Sequence, residues 1–241
     1  MLSKANTGSE MKTSKVMAGL LASFLPVSNA YSKIIHDGRC DYLMEDGKIV
    51  GSMCSEASAP SIPKINRKIN SLFDLEKIVK ENKIRPHYGG FKSSTLIKAI
   101  ISVENPQVEP RAISQAGAVG LMQILPTTAG MNEYSLTHSK TNILQGMEYL
   151  DTIYEKHSIK HGKDALKFSL AEYLVGEGNL QGAIEHYNIS SWKDLENVIK
   201  SGDNPVWARG MKLRDSTGMD VVDYTNSILR NYFKFRSLER K

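Results

Sequence analysis

A glutamate occupies the position where a predicted helix should carry its next buried hydrophobic residue. Leu96 and Ile100 lie on one face of that helix, which should begin near Ser93 or Ser94, and Glu104 continues their spacing. Burial and the negative end of the helix dipole both disfavour an ionised carboxylate there. A carboxyl group that keeps its proton near neutral pH can act as a general acid. The open alternative is a glutamate that leaves the last turn and reaches water.

The segment after this helix is rich in glycine and contains one glutamine. Gly117 and Gly120 indicate compact turns, where glycine permits a positive φ or a close backbone approach. Gln123 carries both a donor and an acceptor, which suits sugar hydroxyls and N-acetyl groups. Ser114 either forms a turn or contacts a ligand, and the residues alone leave that choice open. A packing role is the alternative for the Gly-Leu-Met-Gln segment, residues 120–123.

The stretch from residue 93 to residue 235 resembles the soluble-type lytic transglycosylases, which are lysozyme-like enzymes that cleave bacterial peptidoglycan. The matching segments are Glu104 at its helix end, Asn-Pro at 105–106, Ala-Ile-Ser-x-x-Gly-Ala-x-Gly-Leu-Met-Gln at 112–123, Pro-x-Thr-Ala at 126–129, Asn-Ile-x-x-Gly at 142–146, Tyr-Leu at 149–150, the Tyr173 segment at 170–178, and Asp-Tyr at 223–224. Such a long match with few gaps predicts a lysozyme-like helical domain.

The resemblance also implies an activity and a set of site residues. It implies cleavage of the β-1,4 bond between N-acetylmuramic acid and N-acetylglucosamine, with formation of 1,6-anhydromuramic acid and without a cofactor or metal. Glu104 is then the single catalytic acid and base. The residues expected to bind substrate are Ser114, Gly120, Met122, Gln123, Tyr173 and Tyr224. A core role is the alternative for both tyrosines, because each lies on an apolar helix face.

The chain departs from the family pattern at a few positions. Asn105 follows the glutamate where the family has serine, and the next loop is one residue longer. Without that insertion Asn105 would take the catalytic position, but a loop accepts an extra residue more easily than a packed helix does. Leu174 replaces an asparagine and Glu177 replaces a proline, which puts local substrate contacts in doubt more than the chemistry.

Two other functions remain open from the sequence. A hydrolytic lysozyme would need a second carboxylate, for which Glu172 and Glu177 are the candidates beside Tyr173. A non-catalytic cell-wall-binding accessory protein is the other. Small exported transglycosylases often serve secretion or conjugation machines, so such an apparatus is an expected partner besides the peptidoglycan strands.

Residues 1–30 resemble a secretory signal peptide. Lysines precede a short apolar run, Val16 to Val27, and Ser28-Asn29-Ala30 is a small-residue cleavage site, with Met11 as an alternative start. The alternative is a buried N-terminal helix. An exported protein of the periplasm or cell envelope is therefore expected. The chain has a net charge of +5 but no basic stripe with interleaved aromatic residues, which argues against nucleic-acid binding.

A small stapled segment is predicted ahead of the catalytic domain. Cys40 and Cys54 are the only cysteines of the chain, and an exported context favours a disulfide between them over free thiols or pairing with another chain. Asp46-Gly47 is a hairpin turn signal, so residues 31 to about 50 are read as a β-hairpin. With a Ser/Ala/Pro-rich linker, this segment spans residues 31–63 and precedes a domain at 64–241 whose core is 93–235.

The remaining chain is predicted to be mainly helical. His157 and His161 are spaced as on one helix turn but lack a zinc motif, and indicate a solvated helix end. The predicted helices place their apolar faces at Leu72, Leu75, Ile78 and Val79; at Ile143, Met147, Leu150 and Tyr154 after an Asn142 cap; at Leu166, Leu170, Tyr173 and Leu174; at Leu195 and Ile199 after a Ser190–Ser191 cap; and at Val221, Tyr224, Ile228 and Tyr232.

Overall fold

The chain divides into two compact units, Met1–Ala57 and Ser58–Lys241. The structure, a computed structural model, describes residues 33–36, 40–45, 48–54, 60–201, 213 and 219–240, and for the first three of these ranges it describes only the backbone. The predicted signal peptide, residues 1–30, lies outside the described residues. Its cleavage therefore stays a prediction.

The described part of the first unit is an antiparallel β-sheet. Its strands are β1 (Lys33–His36), β2 (Cys40–Glu45) and β3 (Lys48–Cys54), in the order β1-β2-β3. The sheet contains one strand more than the predicted hairpin, and β3 runs to residue 54 instead of about residue 50. The register places Cys40 opposite Cys54. The side chains of both cysteines lie outside the description, so the disulfide stays a prediction.

The second unit is mainly helical, as predicted. Its helices in the described ranges are α1 (Ile62–Leu72), α2 (Leu75–Glu81), α3 (Ser93–Glu104), α4 (Pro126–Ala129), α5 (Glu133–Leu136), α6 (Ser139–His161), α7 (Ala165–Val175), α8 (Glu177–Tyr187), α9 (Trp192–Ser201) and α10 (Val221–Glu239). A short hairpin, β4 (His87–Tyr88) with β5 (Phe91–Lys92), precedes α3, and a 3₁₀ turn, Gly162–Asp164, links α6 to α7. Within these ranges no helix is long and apolar enough to cross a membrane.

Helix α3 lies at the centre of this unit. Every residue from Ser93 to Ser102 is buried, and Leu96, Ile97, Ile100 and Ile101 are fully buried. Helices α1, α2 and α10 pack against it, and α6 packs against α7. A second apolar cluster includes Phe168, Trp192 and Leu195 and joins α7 to α8 and α9. Helix α3 therefore presents its last residue, Glu104, from a rigid interior.

Helices α3 and α10 run antiparallel and are joined along their length. Near the end of α3, Asn231 Nδ2 donates to Ser102 Oγ over 2.9 Å. At the other end, Thr95 Oγ1 donates to the Glu239 carboxylate over 2.9 Å. These polar contacts join the two helices near both ends and define the register of α10 on α3.

Some predicted helix boundaries were wrong. The apolar stripe from Leu72 to Val79 is not one helix, because Asp74 interrupts it and caps α2 by accepting from the Lys77 N–H. Helix α1 begins at Ile62, inside the segment interpreted as a linker. Ser93 lies within α3 instead of capping it, and its hydroxyl donates to the Arg85 carbonyl.

Two other caps had different outcomes. Asn142 is not a cap, because α6 begins three residues earlier, at Ser139. The Asn142 side chain is instead fully buried. Ser191 does cap α9, as predicted. Its N–H donates to Asp194 Oδ2 over 2.8 Å while its Oγ accepts from the Asp194 N–H over 3.3 Å, which is a reciprocal capping box.

Candidate active site

Glu104 is the last residue of α3 and is partly buried. The hydroxyl of Tyr224 donates a hydrogen bond to Glu104 Oε1. Tyr224 is 1 % exposed on the first turn of α10, and Asp220 fixes the start of that helix by accepting from the backbone N–H groups of Val222 and Asp223. The structure thus brings together the predicted acid and one of the two predicted tyrosines.

Tyr173 approaches the same carboxyl group from α7. Its hydroxyl donates to the carbonyl oxygen of Met122 over 2.8 Å. Burial raises the pKa of Tyr173 well above its ordinary value, and the nearby charge of Glu104 adds to this. The Tyr173 hydroxyl therefore keeps its proton and can act only as a neutral hydrogen-bonding group.

Tyr149 packs beside Tyr173, and the sequence had not indicated a functional role for Tyr149. Its ring lies 5.5 Å from that of Tyr173, measured between centroids. Burial raises the pKa of Tyr149 to about 12, with further contributions from the charges of Glu172 and Glu177. Two neutral tyrosines, Tyr173 and Tyr149, thus connect Glu104 to the carboxylates of Glu172 and Glu177.

The segment 112–124 folds back on itself beside Glu104. Val119 pairs with both Ile113 and Ile124 in isolated antiparallel bridges. Ser114 closes the first turn, where its Oγ accepts from the Ala118 N–H over 3.0 Å. The hydroxyl of Ser114 therefore has a turn-forming role, and its contact with substrate stays a prediction.

Gln123 has a constrained backbone and an oriented side chain. Its φ of 49° lies in the left-handed region, which is unfavourable for a residue with a side chain and is common at functional sites. Its Nε2 donates to the Gly120 carbonyl over 2.7 Å and lies 3.5 Å from that of Ala112. Because both partners are carbonyls, the NH₂ group must face them, and the side-chain oxygen points away from the loop as an acceptor.

Gly120 and Met122 lie in the interior. Met122 is fully buried against Gly146, where an added Cβ would stand 2.7 Å from the Met122 sulfur. Gly120 has a φ of +80°, and a Cβ there would stand 2.5 Å from Asn142 Nδ2. Both residues shape the loop, and their predicted contacts with substrate stay predictions.

Two buried amides that the sequence interpretation missed hold this loop. Asn142 Oδ1 accepts from the Met122 N–H, and its Nδ2 donates to the Val119 carbonyl, both over 2.8 Å. Asn105 Nδ2 donates to the Gly120 carbonyl over 3.1 Å and to the Glu109 carbonyl over 2.7 Å. Asn105 thus binds the loop, whereas the neighbouring Glu104 faces Tyr224.

The two candidate second carboxylates lie in a cluster of charged side chains. Glu172 is 2 % exposed, and its oxygens lie 2.6 Å from Lys156 Nζ and 2.8 Å from His157 Nε2. Burial raises the pKa of Glu172, but the hydrogen bonds from His157 and Lys156 outweigh it and keep that pKa below its ordinary value. Glu177 is 70 % exposed and lies 3.0 Å from Lys156 Nζ. Glu172 is therefore an ion-pair partner with little access to water.

The histidines of α6 do not mark a solvated helix end, so that prediction was wrong. His157 is 2 % exposed, and the ring of His161 stacks on Phe168 at 3.8 Å between centroids. Helix α7 covers this end of α6, which periodicity within α6 could not reveal. In the ranges that the structure describes, no group of three or more His, Cys, Asp or Glu residues is placed to hold a metal ion.

Part of the chain is similar to proteins of known family. Residues 90–195 match the family model described as the Transglycosylase SLT domain. The membrane-bound lytic murein transglycosylase F of Aeromonas hydrophila is 26% identical over 141 residues, which cover 56% of this chain and 28% of that protein. The membrane-bound lytic murein transglycosylase E of Buchnera aphidicola is 31% identical over 118 residues, which cover 44% of this chain and 52% of that protein.

A further relative is the endo-type membrane-bound lytic murein transglycosylase A of Klebsiella pneumoniae. It is 31% identical over 134 residues, covering 46% of this chain and 65% of that protein. The segment that matches the SLT-domain family model, residues 90–195, includes Glu104, Gln123 and Tyr173. The chain spans only 28% of the length of the first of these relatives.

Proposed function

We propose that the chain is a peptidoglycan lytic transglycosylase. It cleaves the β-1,4 bond between N-acetylmuramic acid and N-acetylglucosamine and forms a 1,6-anhydromuramic end. The observation that carries the proposal is the Glu104 carboxyl group, partly buried at the end of a rigid helix and hydrogen-bonded by Tyr224 within an SLT-family domain. This is the placement that a general acid requires.

Glu104 serves in both halves of the reaction. As an acid, it protonates the glycosidic oxygen that leaves, while the N-acetyl group of the muramic residue supports the positive charge at C1. As a base, it then takes the proton of the muramic 6-hydroxyl, whose oxygen bonds to C1 and closes the anhydro ring. Glu104 thereby regains the proton that it donated to the leaving oxygen, and no water is consumed.

The surrounding groups bind and orient the sugar. The side-chain oxygen of Gln123 accepts from an N-acetyl N–H or a hydroxyl, and Ser114 adds a contact at the edge of the loop. Tyr224 orients the Glu104 carboxyl group. Tyr173 anchors the Met122 carbonyl, which immediately precedes Gln123. Gly120 and Met122 lie in the interior and shape the loop that carries Gln123.

The geometry disfavours the hydrolytic alternative. A lysozyme would need a second carboxylate free to act as nucleophile or to activate water. Glu172 is held by Lys156 and His157 and is almost inaccessible. Glu177 is exposed but shares Lys156. A non-catalytic wall-binding protein, the other alternative, would have no need for the Glu104–Tyr224 pair.

The proposal extends to the cell envelope. Peptidoglycan lies outside the cytoplasmic membrane, residues 1–30 resemble a signal peptide, and the relatives are named membrane-bound transglycosylases. We place the protein in the periplasm or envelope, acting on glycan strands. A secretion or conjugation apparatus that requires a local opening in the wall is the partner that this activity would serve.

Mass spectrometry of products from purified sacculi tests the reaction. The wild-type protein should release 1,6-anhydromuropeptides, which are lighter by one water than lysozyme products. Glu104→Gln keeps the shape of the side chain, and we expect it to abolish cleavage while the fold and sacculus binding persist. Glu177→Gln is the matched control and should retain activity. Reducing muramic ends from the wild type would show hydrolysis, and full activity of Glu104→Gln would refute the mechanism.

A further inference from the structure

The backbone of residues 119–123, called the glutamine loop below, is held by side chains from outside it. Asn142 binds it at two points, the Val119 carbonyl and the Met122 N–H. Asn105 binds the Gly120 carbonyl, and the Tyr173 hydroxyl binds the Met122 carbonyl. Val119 pairs with Ile124 through the backbone, whereas the Met122 N–H and carbonyl take side-chain partners. These contacts matter because buried backbone groups left unsatisfied are costly.

Asn142 is matched to this loop in both chemistry and shape. It is fully buried and lies in the first turn of α6, a long helix with little freedom to move. It meets one N–H and one carbonyl, so it must offer one acceptor and one donor, as an amide does. An aspartate of the same size would set an oxygen against the Val119 carbonyl.

Glycine at position 120 belongs to the same arrangement. The Asn142 amide packs directly on the Gly120 backbone, where a Cβ would come within 2.5 Å of Nδ2 and 2.9 Å of the Leu136 carbonyl oxygen. The carbonyl of Gly120 then accepts from Gln123 Nε2. A continuous path of contacts therefore leads from Asn142 through the loop backbone to the Gln123 side chain.

We propose that Asn142 is a positioning residue for Gln123. It holds the loop in the strained turn that gives Gln123 its left-handed φ and directs the side-chain oxygen outward. This role rests on the proposed function, because it concerns how the same site holds a sugar. Asn142 itself is buried and does not touch substrate, so it acts only through the loop.

A double-mutant cycle separates positioning from general stability. Asn142→Ala and Gln123→Ala are compared singly and together for kcat and KM on soluble uncross-linked glycan strands. Each single change should lower kcat/KM on the order of 10- to 100-fold, as small misplacements in a site do. If Asn142 acts through Gln123, the double variant should lie within about twofold of Gln123→Ala alone. Leu195→Ala, fully buried in the second cluster, is the control for lost stability and should keep its kcat.

Hydrogen exchange supplies a readout that does not depend on activity. The Met122 N–H should exchange roughly tenfold or more faster in Asn142→Ala than in Leu195→Ala, because its acceptor is gone. Asn142→Asp keeps that acceptor and serves as a second variant if Asn142→Ala fails to fold. It should protect the Met122 N–H but still lower kcat/KM through the lost donor to Val119.

The outcomes distinguish this inference from the proposed function. The positioning role would be overturned if the kcat/KM losses of the two single variants multiply in the double variant. It would also be overturned if Asn142→Ala leaves hydrogen exchange of the Met122 N–H unchanged. A wild-type protein that binds sacculi without cleaving them would contradict the proposed activity alone. In that case the exchange rates and the sacculus affinities of the same variants decide the role of Asn142.

Discussion

The Tyr224 hydroxyl donates to the Glu104 carboxyl group although 120 positions separate the two residues. Glu104 ends the central helix, and Tyr224 lies on the first turn of the last described helix. Their meeting depends on the antiparallel packing of α3 and α10, which is fixed by contacts at both ends. The orientation of the proposed acid is therefore a property of the tertiary fold.

Tyr224→Phe removes the hydroxyl without changing the packed ring. A hydrogen bond to a charged group contributes about 1.5–3 kcal/mol, so we expect turnover to fall about 10- to 100-fold. The measurement is the rate of release of muropeptides from sacculi. Tyr232→Phe is the matched control, since it lies on the same helix and its hydroxyl accepts from the Lys92 N–H over 3.0 Å. Equal loss of activity in both variants would contradict a specific role for Tyr224.

Tyr173→Phe should weaken turnover while the domain stays folded. Its hydroxyl donates to the Met122 carbonyl, and loss of a neutral hydrogen bond typically costs about 1 kcal/mol of stability. Because Met122 directly precedes Gln123, the free carbonyl should loosen the presentation of Gln123. Kinetics and thermal unfolding of the same samples provide the check. A large loss of stability with full activity of the folded fraction would assign Tyr173 to the core.

The charged cluster around Glu172 should make stability depend on pH. The pKa of Glu172 lies below the ordinary 4.5, so its ion pairs contribute fully above pH 4.5 and are lost as the pH falls through that lower value. Glu172→Gln should cost about 2–3 kcal/mol near neutral pH and reduce the loss of stability on acidification. Urea unfolding at several pH values measures both effects.

Glu177→Gln is the control for that experiment. Glu177 contacts the same Lys156 but is 70 % exposed, and exposed ion pairs contribute little. Its unfolding curve should therefore stay close to that of the wild type at each pH. If both variants behave alike, the stability does not come from the buried pairs of Glu172.

Cys40 and Cys54 should form a disulfide in the exported protein. Strands β2 and β3 pair with these residues opposite each other, and a closed loop of this length stabilises by about 3 kcal/mol in the chain-entropy model. Alkylation of the unfolded protein before and after reduction, read by mass, counts the free thiols. Two thiols labelled before reduction would contradict the pairing.

Cleavage after Ala30 is a separate expectation, and N-terminal sequencing of the same sample tests it.

The sequence predicted the elements whose signals are local. Val221, Tyr224, Ile228 and Tyr232 are all buried on α10, as their spacing indicated. The cap at Ser191 was also correct, because a capping box involves only neighbours in the chain. The resemblance around Glu104 and Gln123 is likewise a continuous motif, and it lies within the segment that matches the family model.

Two of the errors concern polar residues whose partners are distant in sequence. Asn142 was interpreted as a cap because asparagine is common there, yet it binds a loop that lies about 20 positions earlier. His157 was interpreted as solvated, yet Glu172 from the next helix covers it. A single sequence shows which side chains can form hydrogen bonds, but the packing of helices decides which of them meet.

The position of Tyr224 in the chain has a consequence for synthesis. Domains fold as the chain emerges, and Glu104 emerges long before α10 does. An unfinished or partly translocated chain therefore displays the carboxyl group of Glu104 without the hydroxyl that orients it. For the proposed activity, this order means that the site is complete only after the last described helix has docked.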